Sequence, residues 1–390
     1  MKRANTILVI ILSFVVVAES RGQRQVRNDD VIKVDVTKSY SPKKEFFLQD
    51  IATLEYVVLE TNDDFVNQGV VIDIGKEYIL VKNRINDGDI FVYDRTGKAL
   101  RKINRRGEGS EEYLYMNQIT LDEDSKEIFV YDSYKKKFFV YDLYGNFKRS
   151  FNQNKKEVST ICYSDMYNYD RDNLICYDFF EEKEFVLISK QDGSITKNIK
   201  IPFKEKKSLM ARNIDGENVD IMFPIYSKII PFNGSWLLLE ISSDTVFTFL
   251  PDYSLRPLIV RTPSVQSMNP EVMLVLRFIS DRYYFMETME NKYDFKRRRG
   301  FNSKFLMYDK QEKVFLGYTI YDSEYSIHKE VYLNSFQSVN HEIEYLQTIE
   351  ASELVENYKN GQLKEGKLKE IAAKLDEEDN PVIMLVKHKK

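Results

Sequence analysis

The strongest constraint on this chain is a spacing. FVYDRTG occupies 91–97, FVYDLYG occupies 139–145, and FVLISKQDG, with a turn two residues longer, occupies 185–193, so Gly97, Gly145 and Gly193 recur every 48 residues. Each glycine closes one apolar run and opens an alternating one: KALRKIN, NFKRSFN and SITKNIKI. Asp or Ser with Gly between β-rich runs is hairpin chemistry. Two further runs precede each hairpin, NQITLDED and KEIFVYDSY before the second, STICYS and NLICYDFF before the third. The unit is therefore four short strands per repeat, the pattern of a β-propeller blade. Such a sheet cannot bury both of its faces alone, so copies must stack and the ring must close.

The first blade reads GVVIDI, EYILVKN, DIFVYD and KALRKIN. The pattern weakens downstream but persists. IYSKIIPF, SWLLLEIS, TVFTFLPD and LRPLIVRT make a fourth blade; LVLRFIS, RYYFMETM, SKFLMYDK and VFLGYTIY make a fifth. VYLNSFQSV, EIEYLQTI and PVIMLVK supply three strands of a sixth, and IATLEYVVLE, residues 51–60, supplies the fourth from the other end of the chain. A blade shared by both termini leaves no sheet edge exposed at the seam. The expected fold is an all-β, six-bladed propeller over 46–390, with seven blades as the alternative count. Leu368, Ile371, Ala372 and Leu375 fall at i, i+3, i+4 and i+7. That spacing predicts an amphipathic helix within a helical insertion at about 351–379.

Composition agrees with strands. The chain has 26 Tyr and 25 Phe but one Trp and nine Pro, and its net charge of −4 creates no field for nucleic acid. Lys2 and Arg3 precede an apolar run from Ile7 to Ala18, and Ala18-Glu19-Ser20 offers small residues at the positions a signal peptidase reads. Residues 1–20 are thus expected to be a secretory signal peptide and 21–45 an N-terminal leader. The run is too short to span a membrane, and no other segment approaches that length. The expectation is an exported protein, periplasmic, extracellular or at the cell surface. The two cysteines, Cys162 and Cys176, lie in runs that would face each other across a hairpin folded at Tyr169, which leaves open a disulfide or two buried thiols.

Three segments carry a family resemblance: DIATLEYVVLET near the start, INRRGEGSEEY after the first FVYDRTG, and EIAAKLDEEDNPVIMLVK at the end. With them the chain, over about 45–388, resembles the six-bladed, NHL-repeat-like β-propellers of secreted and lipid-anchored Bacteroidetes proteins. The resemblance implies the fold and export rather than an activity. No cysteine follows the apolar run, so a lipid anchor is not expected. RRGEGSEEY also departs from the Gly-Pro-Gly-Glu-Tyr-like sequence of those relatives.

Strands in a blade alternate in direction, so a loop's position in the repeat fixes its face. Links from first to second and from third to fourth strands are mostly short; links from second to third, and between blades, include 104–116, 202–224, 262–272, 287–302 and 350–380. Long loops on a rigid scaffold are where binding residues gather. The candidate ligand-binding residues on this face are Arg105, Arg106, Glu112, Tyr113, Arg212 and Arg297, with Lys204, Lys206, Lys207 and the run Lys296–Arg299 adding positive charge. They suggest a cationic mouth for an anionic glycan or peptide, or a contact with an envelope protein.

No catalytic residue is assignable. The three histidines, His328, His341 and His388, show neither metal-ligand spacing nor a place in a nucleophilic triad, so neither a metal nor a cofactor is expected. Gly107-Glu108-Gly109 joins two strands and opens no helix, unlike a dinucleotide fingerprint. The sequence reading is an exported binding propeller. Its alternative is a lactonase- or lyase-like enzyme centred on the channel, with carboxylates holding a metal.

Overall fold

The repeat glycines end the same turn three times. In the computed structural model, which describes residues 31–153, 163–178, 185–216, 218–333, 337–341 and 345–388, Asp94 Oδ1 accepts the backbone N–H groups of Thr96 (2.8 Å) and Lys98 (3.1 Å). Asp142 Oδ1 does the same for Tyr144 (2.8 Å) and Asn146 (2.9 Å). The carboxylate thus builds the turn and the glycine, at φ +89° or +80°, reverses the chain. In the longer third copy Ser189 Oγ takes the acceptor's place, receiving Gln191 N–H at 3.2 Å. Gly145 also admits the preceding blade: a Cβ there would lie 2.7 Å from Ile103 Cγ2.

These turns join the third and fourth strands of four-stranded antiparallel sheets. Blade 1 comprises Val70–Ile74, Tyr78–Lys82, Asp89–Asp94 and Ala99–Asn104. Blade 2 comprises Gln118–Asp122, Glu127–Asp132, Lys137–Asp142 and Phe147–Asn152, and blade 3 Tyr163–Asn168, Asn173–Asp178, Phe185–Ser189 and Ile195–Ile199. Blade 4 is Ile229–Phe232, Ser235–Leu238, Thr245–Phe249 and Leu255–Thr262; blade 5 is Val272–Ile279, Tyr283–Glu290, Ser303–Asp309 and Val314–Asp322. The outer strands of blades 1 to 4 skip one residue each in register, at Leu100, Lys148, Thr196 and Leu258. Such a bulge sharpens the local twist, and the first three keep the interval of the glycines.

Blade 6 closes the ring. Gln337–Ser338, Tyr345–Ile349 and Val382–His388 come from the C-terminal part, and Ala52–Val58 forms the outer strand, Leu54 lying opposite Val386 and Val58 opposite Val382. The predicted leader is drawn in as well. Ile32–Asp35 adds in parallel to Leu255–Thr262 and Lys43–Phe47 to Val314–Asp322, covering the outer edges of blades 4 and 5. The helices Ala351–Lys359 and Lys367–Ala372 lie in the expected insertion and bury Leu354, Leu368 and Ile371 against Val382, Met384 and Val386.

The core lies between blades. In DIFVYD, Phe91 and Tyr93 pack toward Val57, Ile383 and Leu385 of blade 6, while Ile90 and Val92 pack toward Val130, Phe139 and Tyr141 of blade 2. Both faces of the sheet are covered, so the middle strands read as unbroken apolar runs, as strands buried on two sides do. Each such side chain is worth about 1.5–3 kcal/mol of burial.

One expectation is corrected by register. The blade 3 hairpin turns on Asp170, whose Oδ1 accepts the N–H groups of Asp172 (2.8 Å) and Asn173 (2.7 Å), and a bulge falls at Ser164. Cys176 therefore stands opposite Met166, as a buried free thiol, in a hairpin that does not turn at Tyr169. Cys162, like the predicted signal peptide, lies outside the described residues.

Candidate ligand-binding site

All six inner strands begin at the mouth where the blades are linked and end at the mouth of the short turns. The channel between them holds two chambers. The first, about 350 Å³, is lined at the long-loop mouth by the starts of inner strands, including Val70, Gln118, Ser164 and Lys228, with Lys82 and Arg277. The second, about 230 Å³, is lined at the short-turn mouth by Gly75, Glu123, Asp124, Asn168, Trp236 and His341. Asp73, Tyr167 and Val339 line both and mark the waist between them.

Alternate inner strands are bulged. The unpaired residues are Ile72 in blade 1, Ser164 in blade 3 and Arg277 in blade 5. Each bulge sits at or beside a channel charge: Asp73, Asp165 and Arg277. A bulge re-aims side chains that strict alternation would place elsewhere.

The first chamber is a set of constrained charges. Arg277 Nε lies 2.7 Å from Glu287 Oε2 and Nη1 donates to the Ile225 carbonyl at 2.7 Å, both side chains being buried. Lys228 Nζ stands 3.4 Å from Asp165 Oδ2. Lys82 is different. It forms no ion pair or side-chain hydrogen bond with the described residues, and partial burial holds its pKa below the usual lysine range against the pull of Asp87.

Asp73 sits at the waist with its carboxylate turned to the far side. Oδ1 accepts Ile74 N–H and Oδ2 accepts Leu121 N–H, each at 2.8 Å. Burial still pushes its pKa up to about 6; those two bonds lower it, and the Glu123 charge adds to the rise. Glu123 clamps blade 2 to blade 1 by accepting the N–H groups of Lys76 (2.6 Å), Glu77 (2.7 Å) and Tyr78 (3.0 Å). Across the second chamber the Trp236 and His341 rings meet edge to face at 4.7 Å, and burial lowers the pKa of the imidazole. Asn168 Oδ1 is buried behind that wall with no hydrogen-bond partner among the described residues. Among the described residues no three His, Cys, Asp or Glu side chains are grouped to hold a metal ion.

The structure does not bring the six residues named from sequence together. Four belong to the loop linking blades 1 and 2, at the rim. Arg105 Nε donates to the Gly145 carbonyl at 2.7 Å, tying the loop to the next blade's turn. Tyr113 is fully buried; its hydroxyl donates to the Gly88 carbonyl at 2.7 Å and accepts Arg105 N–H at 3.1 Å, and burial pushes its pKa up to about 12. Glu112 folds back to accept Gly109 N–H at 2.9 Å. The carbonyls of Gly107 (3.1 Å), Gly109 (3.0 Å) and Glu112 (2.6 Å) surround the Lys135 ammonium. That segment is thus a loop wound on a cation. Arg106 is exposed beside it. Arg212 lies on the projecting hairpin Ala211–Asp215 and Asn218–Met222, and Arg297 on the turn between Tyr293–Asp294 and Arg299–Gly300; both are exposed.

Sequence reading missed Lys82, Asp165 and Arg277. STICYS reads as the inner strand of blade 3, whereas Tyr163–Asn168 fills that place and carries Asp165. Arg277 was hidden in LVLRFIS, because a bulged residue breaks the period-two rule by which channel-facing positions are counted.

A ring of six radial sheets, closed by the pairing of Ala52–Val58 with Val382–His388 around a charged channel, defines a six-bladed β-propeller. The chain belongs to the DUF4934 family, a domain of unknown function, whose model matches residues 31–387. Among solved structures, a Bacteroides fragilis protein described as exported has the same fold: TM-score 0.55, 15% identity, 93% of this chain and 99% of that chain covered. A DUF4221 family member from Bacteroides vulgatus matches at TM-score 0.48 and 11% identity, covering 87% of this chain and 99% of that one. No curated protein matches the chain by sequence. Among the described residues no helix is long and apolar enough to cross a membrane.

Proposed function

We propose that this protein is an exported binding module that holds a small anionic ligand, such as an acidic oligosaccharide or peptide end, in the chamber at the long-loop mouth. The observation that carries this reading is Lys82, a partly buried ammonium in the chamber wall that forms no ion pair or side-chain hydrogen bond with the described residues, the Asp87 charge acting on it without direct contact. A desolvated cation without a partner is an incomplete ion pair, and a ligand carboxylate or sulfate completes it. Blades 1 and 4 lie opposite each other in a six-membered ring, so Lys82 and Lys228 address an occupant from two sides. A chamber of about 350 Å³ is within the range of small-molecule sites. Export rests on the basic and apolar N-terminus and its small-residue cleavage site.

The test is calorimetric titration with uronic-acid di- and trisaccharides and acidic tripeptides. At least one probe is expected to bind, with Lys82→Ala weakening it about tenfold and Arg105→Ala/Arg106→Ala leaving it unchanged. Loss of binding in the arginine double variant with Lys82→Ala silent, or no binding by any probe, overturns the reading.

A further inference from the structure

We propose that two hairpins at the long-loop rim, Ala211–Asp215 with Asn218–Met222 and Tyr293–Asp294 with Arg299–Gly300, form an interface for a second copy of this chain. The inference goes beyond the ligand reading and does not depend on it. Its first ground is apolar surface that no described residue covers. In the first hairpin Arg212 lies opposite Ile221, and Ile214 opposite Val219. Opposed residues share a face of the ribbon. Ile214, Val219 and Ile221 therefore make one face apolar, with Arg212 at its end, while Asn213, Asp215, Asn218 and Asp220 make the other polar. Ile214 is 61% exposed, and Phe223 and Ile225, just past the hairpin, are 65% and 77% exposed. Single apolar residues on a surface are ordinary, but a cluster rimmed by charge marks an interaction site. The ribbon also has no third strand among the described residues, and a lone two-stranded sheet is marginal in water.

The second ground is charge of both signs, kept on separate hairpins. Residues 292–300 hold five cations and one acid, whereas 211–222 hold Arg212 against Asp215, Glu217 and Asp220. The two hairpins line one open cleft of about 610 Å³, with Asp215 and Asp220 from the first and Lys296 and Arg298 from the second. Among the described residues neither aspartate forms an ion pair, and of the Lys296–Arg299 run only Arg297 does, with Asp294 at 3.8 Å. A two-fold contact puts the same patch on both sides, so that patch must complement itself. This one does: the acidic hairpin of each copy meets the basic turn of the other, and the apolar faces are covered between them. An anionic membrane would attract the basic turn but meet the acids beside it, and a partner of one charge sign would be repelled by half of the patch.

Sedimentation velocity of the protein over a concentration series is expected to show a monomer–dimer equilibrium that added salt weakens. Ile214→Ser with Ile221→Ser should weaken it about tenfold or more. Arg297→Glu with Arg298→Glu, and Asp215→Lys with Asp220→Lys, should each be monomeric alone and dimerise when mixed, because the exchanged signs then meet in both contacts. Circular dichroism checks that the variants keep their fold; if the isoleucine variant does not, the mixing experiment carries the test. A protein monomeric at every concentration, a dimer indifferent to the variants, or charge-reversed variants that stay apart when mixed overturns the proposal. So does monomeric protein carried down by phosphatidylglycerol vesicles, which would assign the hairpins to a lipid surface.

Discussion

Leu54 lies directly opposite Val386, in an antiparallel ladder that runs from Ala52–His388 to Val58–Val382. Strands far apart in the chain, Ala52–Val58 and Val382–His388, thus share one sheet, and every loop's assignment to a mouth of the channel follows from that closure. Val386→Pro removes a backbone donor from the buried ladder and should cost about 3 kcal/mol or more. Because blades support one another around the ring, hydrogen exchange should rise in Glu127–Asp132 of blade 2 as well as in blade 6. Faster exchange confined to blade 6 would contradict the closure argument.

Lys190 Nζ and Asp122 Oδ2 are 2.7 Å apart, both 3% exposed, and the ammonium also donates to the Asp170 carbonyl at 2.6 Å. This pair joins blade 3 to blade 2. Lys190→Met strands a buried carboxylate and should destabilise the fold by about 3–5 kcal/mol, whereas Lys190→Met with Asp122→Leu should recover most of the loss. Urea unfolding of the three proteins measures it. A double variant no better than the single one would show that the pair does more than neutralise itself.

Gly145 and Gly234 both have positive φ, +80° and +70°, but only Gly145 is pressed by a neighbour, Ile103. Gly234→Ala should cost about 1 kcal/mol for backbone conformation alone. Gly145→Ala should cost clearly more, because the added methyl must displace the preceding blade. Equal shifts in Tm would remove the interblade role of the repeat glycine.

Asp73 titrates near 3.8 in an unfolded chain and at about 6 in the fold. Between those values the folded state holds the extra proton, so the stability Asp73 contributes is full below pH 4, falls as pH rises toward 6, and is flat above. The difference in urea midpoint between wild type and Asp73→Asn, followed from pH 3.5 to 7.5, should shrink across that window. A difference that grows with pH would reverse the assignment.

The ring was legible in the sequence because its signals are local and repeated. Asp94 and Asp142 build the same turn, Gly97 and Gly145 reverse it, and apolar runs such as DIFVYD mark strands covered on both sides. Blade 6 could be read from the surplus strand at 51–60. The channel was not legible for the opposite reason. Bulges at Ile72, Ser164 and Arg277 shift side chains out of the period-two count, and Lys82 closes a strand with no motif around it. Tyr113 and Arg105 looked like ligand groups because a loop's composition does not reveal that the loop is wound around Lys135 and pinned to Gly145. Ile32–Asp35 and Lys43–Phe47 carry no repeat signal, since they extend two blades in parallel, outside the four-strand unit.

The most direct test of the binding account is a crystal structure of the protein soaked with the tightest acidic oligosaccharide or peptide from the titration. The account predicts density in the long-loop chamber, with an acidic group within hydrogen-bond distance of Lys82 Nζ. Density confined to the rim, at Arg105 and Arg106 or on the hairpins of Arg212 and Arg297, would contradict it.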